Sequence, residues 1–175
     1  GKGGQTSAPY SSGQYNTAVG YQALTGFTTT GGITAIGSYA LTANTTGAQN
    51  IAIGQGAMGS NTTGTDNCAI GHAALAGTNT GSGRNNAFGY EALQDITTGT
   101  QNQAMGFQAG ANLTTGSYNN IMGAEAMENS TTASNCVAIG HDALRQNEGN
   151  NNISIGFQAL TANTTGAGNV AMGYN

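Results

Sequence analysis

The fold is decided by the stretch Asn16-Thr17-Ala18-Val19-Gly20-Tyr21-Gln22-Ala23-Leu24, because variants of it return along almost the whole chain. Its central glycine, here called the core glycine, recurs ten times in steps of 17, apart from one step of 18 and one of 16. Such regular spacing is the signature of a tandem repeat. The core glycines are Gly20, Gly37, Gly54, Gly71, Gly89, Gly106, Gly123, Gly140, Gly156 and Gly173.

Two positions beside the core glycine are nearly invariant. The residue before it is always large and apolar: Val19, Ile36, Ile53, Ile70, Phe88, Met105, Met122, Ile139, Ile155 or Met172. The third residue after it is always alanine, which suggests a place where another backbone, of the same or a neighbouring chain, approaches closely. These alanines are Ala23, Ala40, Ala57, Ala74, Ala92, Ala109, Ala126, Ala143 and Ala159. The next residue is Leu or Met in eight of nine units, Gly110 being the exception.

Two further features indicate tight corners in each unit. Asn lies four residues before the core glycine in eight of ten units, where it either adopts a left-handed conformation or stacks in an amide ladder. A Thr-Thr-Gly string, such as Thr45-Thr46-Gly47, closes most units, and its glycine is expected to supply a positive φ. Each unit is therefore predicted to contain a strand of about four residues. The Tyr-Gln-Ala-Leu segment is compatible with a strand or with one helical turn.

The period of the repeat predicts an all-β fold. It is too short for repeats of paired helices and lacks the leucine pattern of leucine-rich repeats. One unit fits one coil of a parallel β-solenoid, so ten coils at ~4.8 Å give a rod of about 48 Å over residues 16–175. Residues 1–15 lie outside the repeat and are predicted to be a linker or an end cap. No second domain is apparent.

Composition excludes several classes of function. Three basic residues, Lys2, Arg84 and Arg145, against seven acidic ones cannot form the basic surface that nucleic acids need. No apolar run is long enough to cross a membrane, so no membrane insertion is expected, and no signal peptide is visible. Gly (30), Thr and Asn dominate the chain, and 6% of its residues are charged. This composition is typical of a solenoid with many turns.

Each coil offers little for a core: two large apolar side chains, two alanines and in some coils an aromatic ring. This is too little to offset the conformational entropy lost on ordering a whole coil. Hydrogen bonds between coils supply part of the difference. Apolar faces shared between chains would supply the rest, so we expect an oligomer.

The repeats resemble those of phage tail fibres and related bacterial fibre proteins. The units Asn16–Leu24 and Asn163–Tyr174 carry the resemblance, and the Asn-x-Ala-Ile-Gly core is also similar to the head repeats of trimeric autotransporter adhesins. The period here is longer than in those heads, and the Tyr-Gln-Ala-Leu segment is added. The resemblance implies a homotrimeric extracellular fibre, on a virion tail or a bacterial surface, that attaches to a cell-surface glycan or protein.

No constellation of residues predicts catalysis or a cofactor. Cys68 with His72 and Cys136 with His141 differ in spacing, and both histidines occupy a position otherwise held by aromatic rings, so a planar filling role is the simpler interpretation. The acids Glu91, Glu125 and Asp142 share one position and are interpreted as solvated edge residues. We therefore expect no enzyme activity, no metal and no bound cofactor.

The sequence favours a structural or adhesive segment of a fibre that mediates attachment to a cell surface. Tyr21, Tyr90, Phe107 and Phe157, directly after core glycines, are candidate receptor contacts if they are exposed. The alternative is an ice-binding β-solenoid with a Thr-rich face. The Thr residues argue against it, because they come as adjacent pairs whose side chains on a strand would point to opposite faces.

Overall fold

The computed structural model of the chain describes residues 14–29, 31–78 and 83–174. These residues form ten strands of three residues each and no helix. The strands are β1 (Thr17–Val19), β2 (Thr34–Ile36), β3 (Ile51–Ile53), β4 (Cys68–Ile70), β5 (Asn86–Phe88), β6 (Gln103–Met105), β7 (Asn120–Met122), β8 (Val137–Ile139), β9 (Ile153–Ile155) and β10 (Val170–Met172). Each strand ends just before a core glycine.

The ten strands form one parallel sheet in sequence order, so each strand pairs with the strands of the preceding and following units. The register places equivalent residues side by side, for example Ala18 beside Ala35 and Ala35 beside Ala52. The predicted all-β parallel solenoid is therefore confirmed, with about nine turns between β1 and β10. The strands are slightly shorter than the sequence suggested.

The interior of the solenoid is narrow and combines small side chains from the strands with one Leu or Met from most coils. The middle residue of each strand points inward and is usually alanine, as Ala52 and Ala87 are. The invariant alanine three residues after the core glycine is also buried, and so is the Leu or Met that follows this alanine in most coils. The invariant alanines thus face the interior of their own chain. Because they are buried within it, they have no exposed surface for a neighbouring chain to approach.

The large residue before the core glycine lies on the outside of the sheet, contrary to the expectation that each coil buries two large apolar side chains. We call these ten residues, from Val19 to Met172, the outer column. Met105 is 51% exposed and Ile36 38%, and of the ten only Ile53 and Phe88 are half-buried. Consecutive residues of a strand point to opposite faces. Because the interior accommodates only alanine or a similarly small residue at most middle positions, the large neighbours point outward.

The Tyr-Gln-Ala-Leu segment is neither a strand nor a helical turn. Gln22 and Leu24 both have a φ of 53°, and the same positions have positive φ in the later coils. The turn is held by hydrogen bonds between coils: the Leu24 N–H donates to the Ala40 carbonyl over 2.9 Å, and the Tyr39 N–H to the Tyr21 carbonyl over 2.8 Å. These bonds and the burial of Leu24 offset the cost of a left-handed conformation in a residue with a side chain.

The asparagines before the strands form a buried ladder along the rod, which confirms one of the two roles predicted for them. Asn102 is representative. Its Oδ1 accepts hydrogen bonds from the backbone N–H and the Nδ2 of Asn119, and its Nδ2 donates to the Asn85 Oδ1 and to the Gly116 carbonyl. The positive φ at this corner belongs to the preceding residue, for example Gln101 at 59°.

The glycine of the Thr-Thr-Gly corner does not have the predicted positive φ. Close packing, not a positive φ, explains why glycine occupies this position. A Cβ on Gly47 would collide with the Gly64 carbonyl of the next coil and with the Asn44 side chain. Its own carbonyl accepts a hydrogen bond from the Asn44 Nδ2 at 2.9 Å. The corner is therefore a place where two coils and a buried amide approach closely.

Residues 1–13 of the predicted linker or end cap lie outside the described residues. Gln14, at the edge of that segment, accepts a backbone hydrogen bond from Gly32. Within the part of the chain that the structure describes, no helix is long and apolar enough to cross a membrane.

Candidate functional site

The outer face of the sheet is a continuous apolar feature of the described surface. The outer column runs along its whole length, one side chain per coil, and Ile51, Ile153 and Val170 add exposed apolar groups two residues earlier in their strands. None of the ten strands contains a charged residue. An uncharged apolar face of this kind is characteristic of a surface that another chain covers.

An aromatic column lies directly beside this face, at the residue after the core glycine. The rings of His72, Tyr90 and Phe107 stack at centroid distances of 5.0 and 5.3 Å with interplanar angles of 8° and 11°. A second stack follows the same geometry and contains His141, Phe157 and Tyr174. Both histidines thus act as planar groups within an aromatic stack, in agreement with the simpler interpretation of their position.

The candidate receptor residues Tyr21, Tyr90, Phe107 and Phe157 are all exposed, and their role in receptor binding stays a prediction. Tyr90 has a ring stacked on each of its two faces, and so has Phe157. Tyr21 packs edge to face against Tyr39. A sugar ring therefore has no free face on which to stack at Tyr90 or Phe157, and these two residues offer a partner mainly their ring edges.

A polar groove crosses the other border of the sheet face, on coils four to seven. We call it the amide groove. It is lined by Asp66, Arg84, Asn86, Gln101, Gln103, Tyr118 and Asn120. It combines a carboxylate, a guanidinium, a phenol and four amides in a shallow, open depression. The groove was missed at the level of sequence, because its residues come from different units and no single motif contains them.

The two cysteines and two histidines do not form a common site. Cys68 is half-buried in β4, whereas Cys136 is buried in the asparagine ladder, where its N–H donates to the Asn119 Oδ1. Within residues 14–29, 31–78 and 83–174, no group of three or more His, Cys, Asp or Glu side chains could hold a metal ion. That no metal or cofactor binds stays a prediction.

The acids Glu91, Glu125 and Asp142 are not solvated edge residues as the sequence suggested. Glu91 accepts a hydrogen bond from the Gln108 Nε2 at 2.8 Å. Arg145 lies 3.1 Å from Glu125 and 2.7 Å from Glu128. Asp142 is buried beside Arg145 and His141. Acidic side chains in this position therefore join neighbouring coils through ion pairs and hydrogen bonds.

Glu148 lies in the coil between Gly140 and Gly156, which is one residue shorter than most others, and joins it to the preceding coil. Its carboxylate accepts four hydrogen bonds of 2.8 to 2.9 Å from the backbone N–H and hydroxyl groups of Thr131 and Thr132. Partial burial raises the pKa of the Glu148 carboxyl, but the four hydrogen bonds favour its charged form and bring the pKa below its usual value.

This geometry predicts an acid-sensitive coil. Because the pKa of Glu148 is lower in the folded chain than in the unfolded one, its contribution to stability is present above the unfolded pKa. It is lost as the pH falls through the folded pKa. We expect Glu148→Gln to lower the free energy of unfolding by about 1–2 kcal/mol at pH 7 and to flatten its decline between about pH 6 and pH 3 in denaturant titrations.

The matched control is Asp95→Asn, since Asp95 is exposed and its carboxylate accepts no hydrogen bond from the described residues. An equal pH dependence in the parent and in Glu148→Gln would mean that the Thr131 and Thr132 contacts do not stabilise the coil.

No protein-family model, curated protein or solved structure matches the chain. The outer face, the aromatic column and the amide groove are therefore the features from which a function can be inferred.

Proposed function

We propose that the chain is a structural and adhesive segment of an extracellular fibre, in which three copies associate through their outer columns. The observation that carries this proposal is the continuous column of large apolar side chains on the uncharged face of the sheet. An exposed flat sheet face without charges invites association. A permanent partner chain would cover the outer column along the rod.

The rod itself suits a structural role. Strand pairing joins each coil to the next along the whole rod, and the asparagine ladder and the two ring stacks add further contacts over parts of its length. The number three and the extracellular setting, on a virion tail or a bacterial surface, rest on the resemblance of the repeats to phage tail fibres and trimeric adhesins. A cell-surface glycan or protein is the expected receptor.

A cysteine placed in the outer column offers a direct test of this association. Ile70→Cys in a Cys68→Ser background puts one thiol in the column, and the remaining native cysteine, Cys136, is buried within its own chain. We expect a thiol reagent to modify neither cysteine in the native assembly. Charges in the outer column, introduced by Met105→Glu with Ile139→Glu, should expose one thiol.

The control for this test is the same charged variant with Cys68→Ser but without Ile70→Cys, which should return the number of reactive thiols to zero. Unfolded Ile70→Cys protein should give two reactive thiols. Rapid modification of one thiol in native Ile70→Cys protein without the added charges would contradict the proposal, because the outer column would then be open to solvent.

An ice-binding solenoid remains the second candidate, and one observation favours it. Among the described residues, an exposed threonine recurs at the second Thr of the corner in several coils, for example Thr46, Thr98 and Thr115. The first Thr of the pair cannot add a second column. Its hydroxyl donates to the carbonyl of the next coil, as Thr45 does to Thr62 over 3.0 Å. Thermal hysteresis in the purified chain would favour ice binding over the fibre.

A further inference from the structure

The amide groove is a local departure from an otherwise regular surface. The first residue of the strand is Thr, Ile, Cys or Val in seven of the ten coils. In β5, β6 and β7 it is Asn86, Gln103 and Asn120. Asn is depleted in strands and Thr, Val and Ile are favoured there. The amides therefore replace better strand formers on three successive coils, next to Arg84.

The corner residues of the groove bring three different polar groups to the surface. Arg84, Gln101 and Tyr118 have φ values of 47°, 59° and 62°. Eight of the ten coils carry a residue other than glycine at this corner, so the backbone accepts many side chains there. On three successive coils the corner therefore presents a guanidinium, an amide and a phenol beside the amides of the strands.

The polar groups of the groove are mostly uncommitted. The hydrogen bond from the Asn86 Nδ2 to the Gln103 Oε1, at 2.8 Å, joins two of them, and Asp66 accepts one from the Thr65 hydroxyl. Arg84 forms no ion pair with the described residues, whereas Arg145 contacts three carboxylates. Among the described residues, the side chains of Arg84, Gln101, Tyr118 and Asn120 have no hydrogen-bond partner and can bind a ligand.

We propose that the amide groove binds an acidic oligosaccharide, with Arg84 pairing with its carboxylate and the amides with its hydroxyl groups. This deepens the proposed attachment role and rests on it. Guanidinium groups bind carboxylates through two parallel hydrogen bonds, and an amide both donates and accepts, which suits neighbouring hydroxyls. Tyr118 supplies an aromatic surface that, unlike Tyr90, has no ring stacked on it among the described residues.

The size of the groove fits a short oligosaccharide. Its corner residues run from Asp66 to Tyr118 over three coil steps, about 14 Å at the usual strand spacing. Asp66 at one end disfavours a ligand with charge along its whole length, so the groove favours one carboxylate near Arg84 and neutral hydroxyls elsewhere.

Binding is tested with the native protein and three probes: 3′-sialyllactose, a hyaluronan hexasaccharide, and lactose as the neutral control. Ligand-observed NMR titration gives the affinities. We expect at least one acidic probe to bind and lactose to bind at least tenfold more weakly. Arg84→Gln should weaken the acidic probe at least tenfold. The backbone should tolerate this change, because Gln49 and Gln101 occupy the same corner position in other coils.

The chain provides a matched pair for the amides. Gln101 and Gln49 have φ values of 59° and 57° in the same position of their coils, but only Gln101 lines the groove. Gln101→Ala should weaken binding about threefold or more, and Gln49→Ala should leave it unchanged. Binding of none of the probes, or equal binding of lactose, would overturn the proposal. So would affinity that Arg84→Gln leaves unchanged.

Failure of this proposal is distinguishable from failure of the fibre. If Arg84→Gln instead dissociates the assembly, the groove is a contact between chains and the glycan proposal is overturned while the fibre stands. An assembly that binds no probe leads to the same conclusion. If the folded protein is a single chain in solution, the fibre proposal is overturned, and the glycan proposal loses its basis.

Discussion

Gly106→Ala is expected to lower the free energy of unfolding by about 4 kcal/mol. Gly106 has a φ of 145°, a conformation that residues with a side chain rarely adopt. A Cβ there would also collide with the carbonyl of Gly123 in the next coil. The strain and the collision each cost roughly 1–3 kcal/mol. Chemical denaturation followed by circular dichroism measures the change.

The control is a second Gly→Ala substitution at a positive φ. Gly56 has a φ of 66° and nothing within 4 Å of the place where a Cβ would lie. Ala73 already occupies the equivalent position one coil later, with a φ of 52°. Gly56→Ala should therefore change stability by less than about 1 kcal/mol. Equal effects of the two substitutions would show that the coils do not approach each other at the core glycine.

Asn102→Leu is the second substitution with a large expected effect, about 3–5 kcal/mol. Leucine has a similar volume but cannot take part in the ladder. The Asn119 N–H and the Gly116 carbonyl would each lose a hydrogen bond from the Asn102 side chain. Buried polar groups left without a partner cost about 1–3 kcal/mol each. The loss should appear as a lower denaturation midpoint with an unchanged slope.

Asn112→Leu serves as the control, because Asn112 is exposed and its amide makes one hydrogen bond, to Asn129. Its effect should remain below about 1 kcal/mol. A mild effect at Asn102 would mean that strand pairing alone holds the coils and that the amide ladder is dispensable.

The architecture was predictable because the period reports it directly. One core glycine in each unit places one strand in each coil, and identical units placed side by side require a parallel register, as Ala35 beside Ala52 shows. The asparagine ladder followed for the same reason: a polar residue repeated in the same place on every coil stacks on its own copies.

The direction of the side chains was not predictable. In a strand such as Ile51–Ile53 all three residues are apolar, so no alternation of polar and apolar residues marks the inner face. The usual assumption that the larger residue is inside is wrong here, since the narrow coil has room only for Ala52. No feature of the sequence indicated the left-handed conformation of Leu24, because hydrogen bonds from the neighbouring coil impose it.

The amide groove could not be found from the sequence. A comparison of the units keeps what they share and discards the differences from which the groove is built. Asn86 and Gln103 belong to different units, and each looks like an ordinary variation at a tolerant position. Only the stacking of coils shows that these variations lie side by side with Arg84. In a repeat protein, the positions that break the pattern on adjacent coils are therefore the first places to search for a ligand.

The central claim, that chains associate through their outer columns, is tested most directly by the mass of the purified chain in sedimentation equilibrium at micromolar concentration. The expected mass is three times the 17.3 kDa of one chain. Met105→Glu with Ile139→Glu should reduce this mass. Thr46→Glu with Thr98→Glu, which adds the same charge at exposed positions of another face, should not. A folded parent with the mass of a single chain would contradict the account.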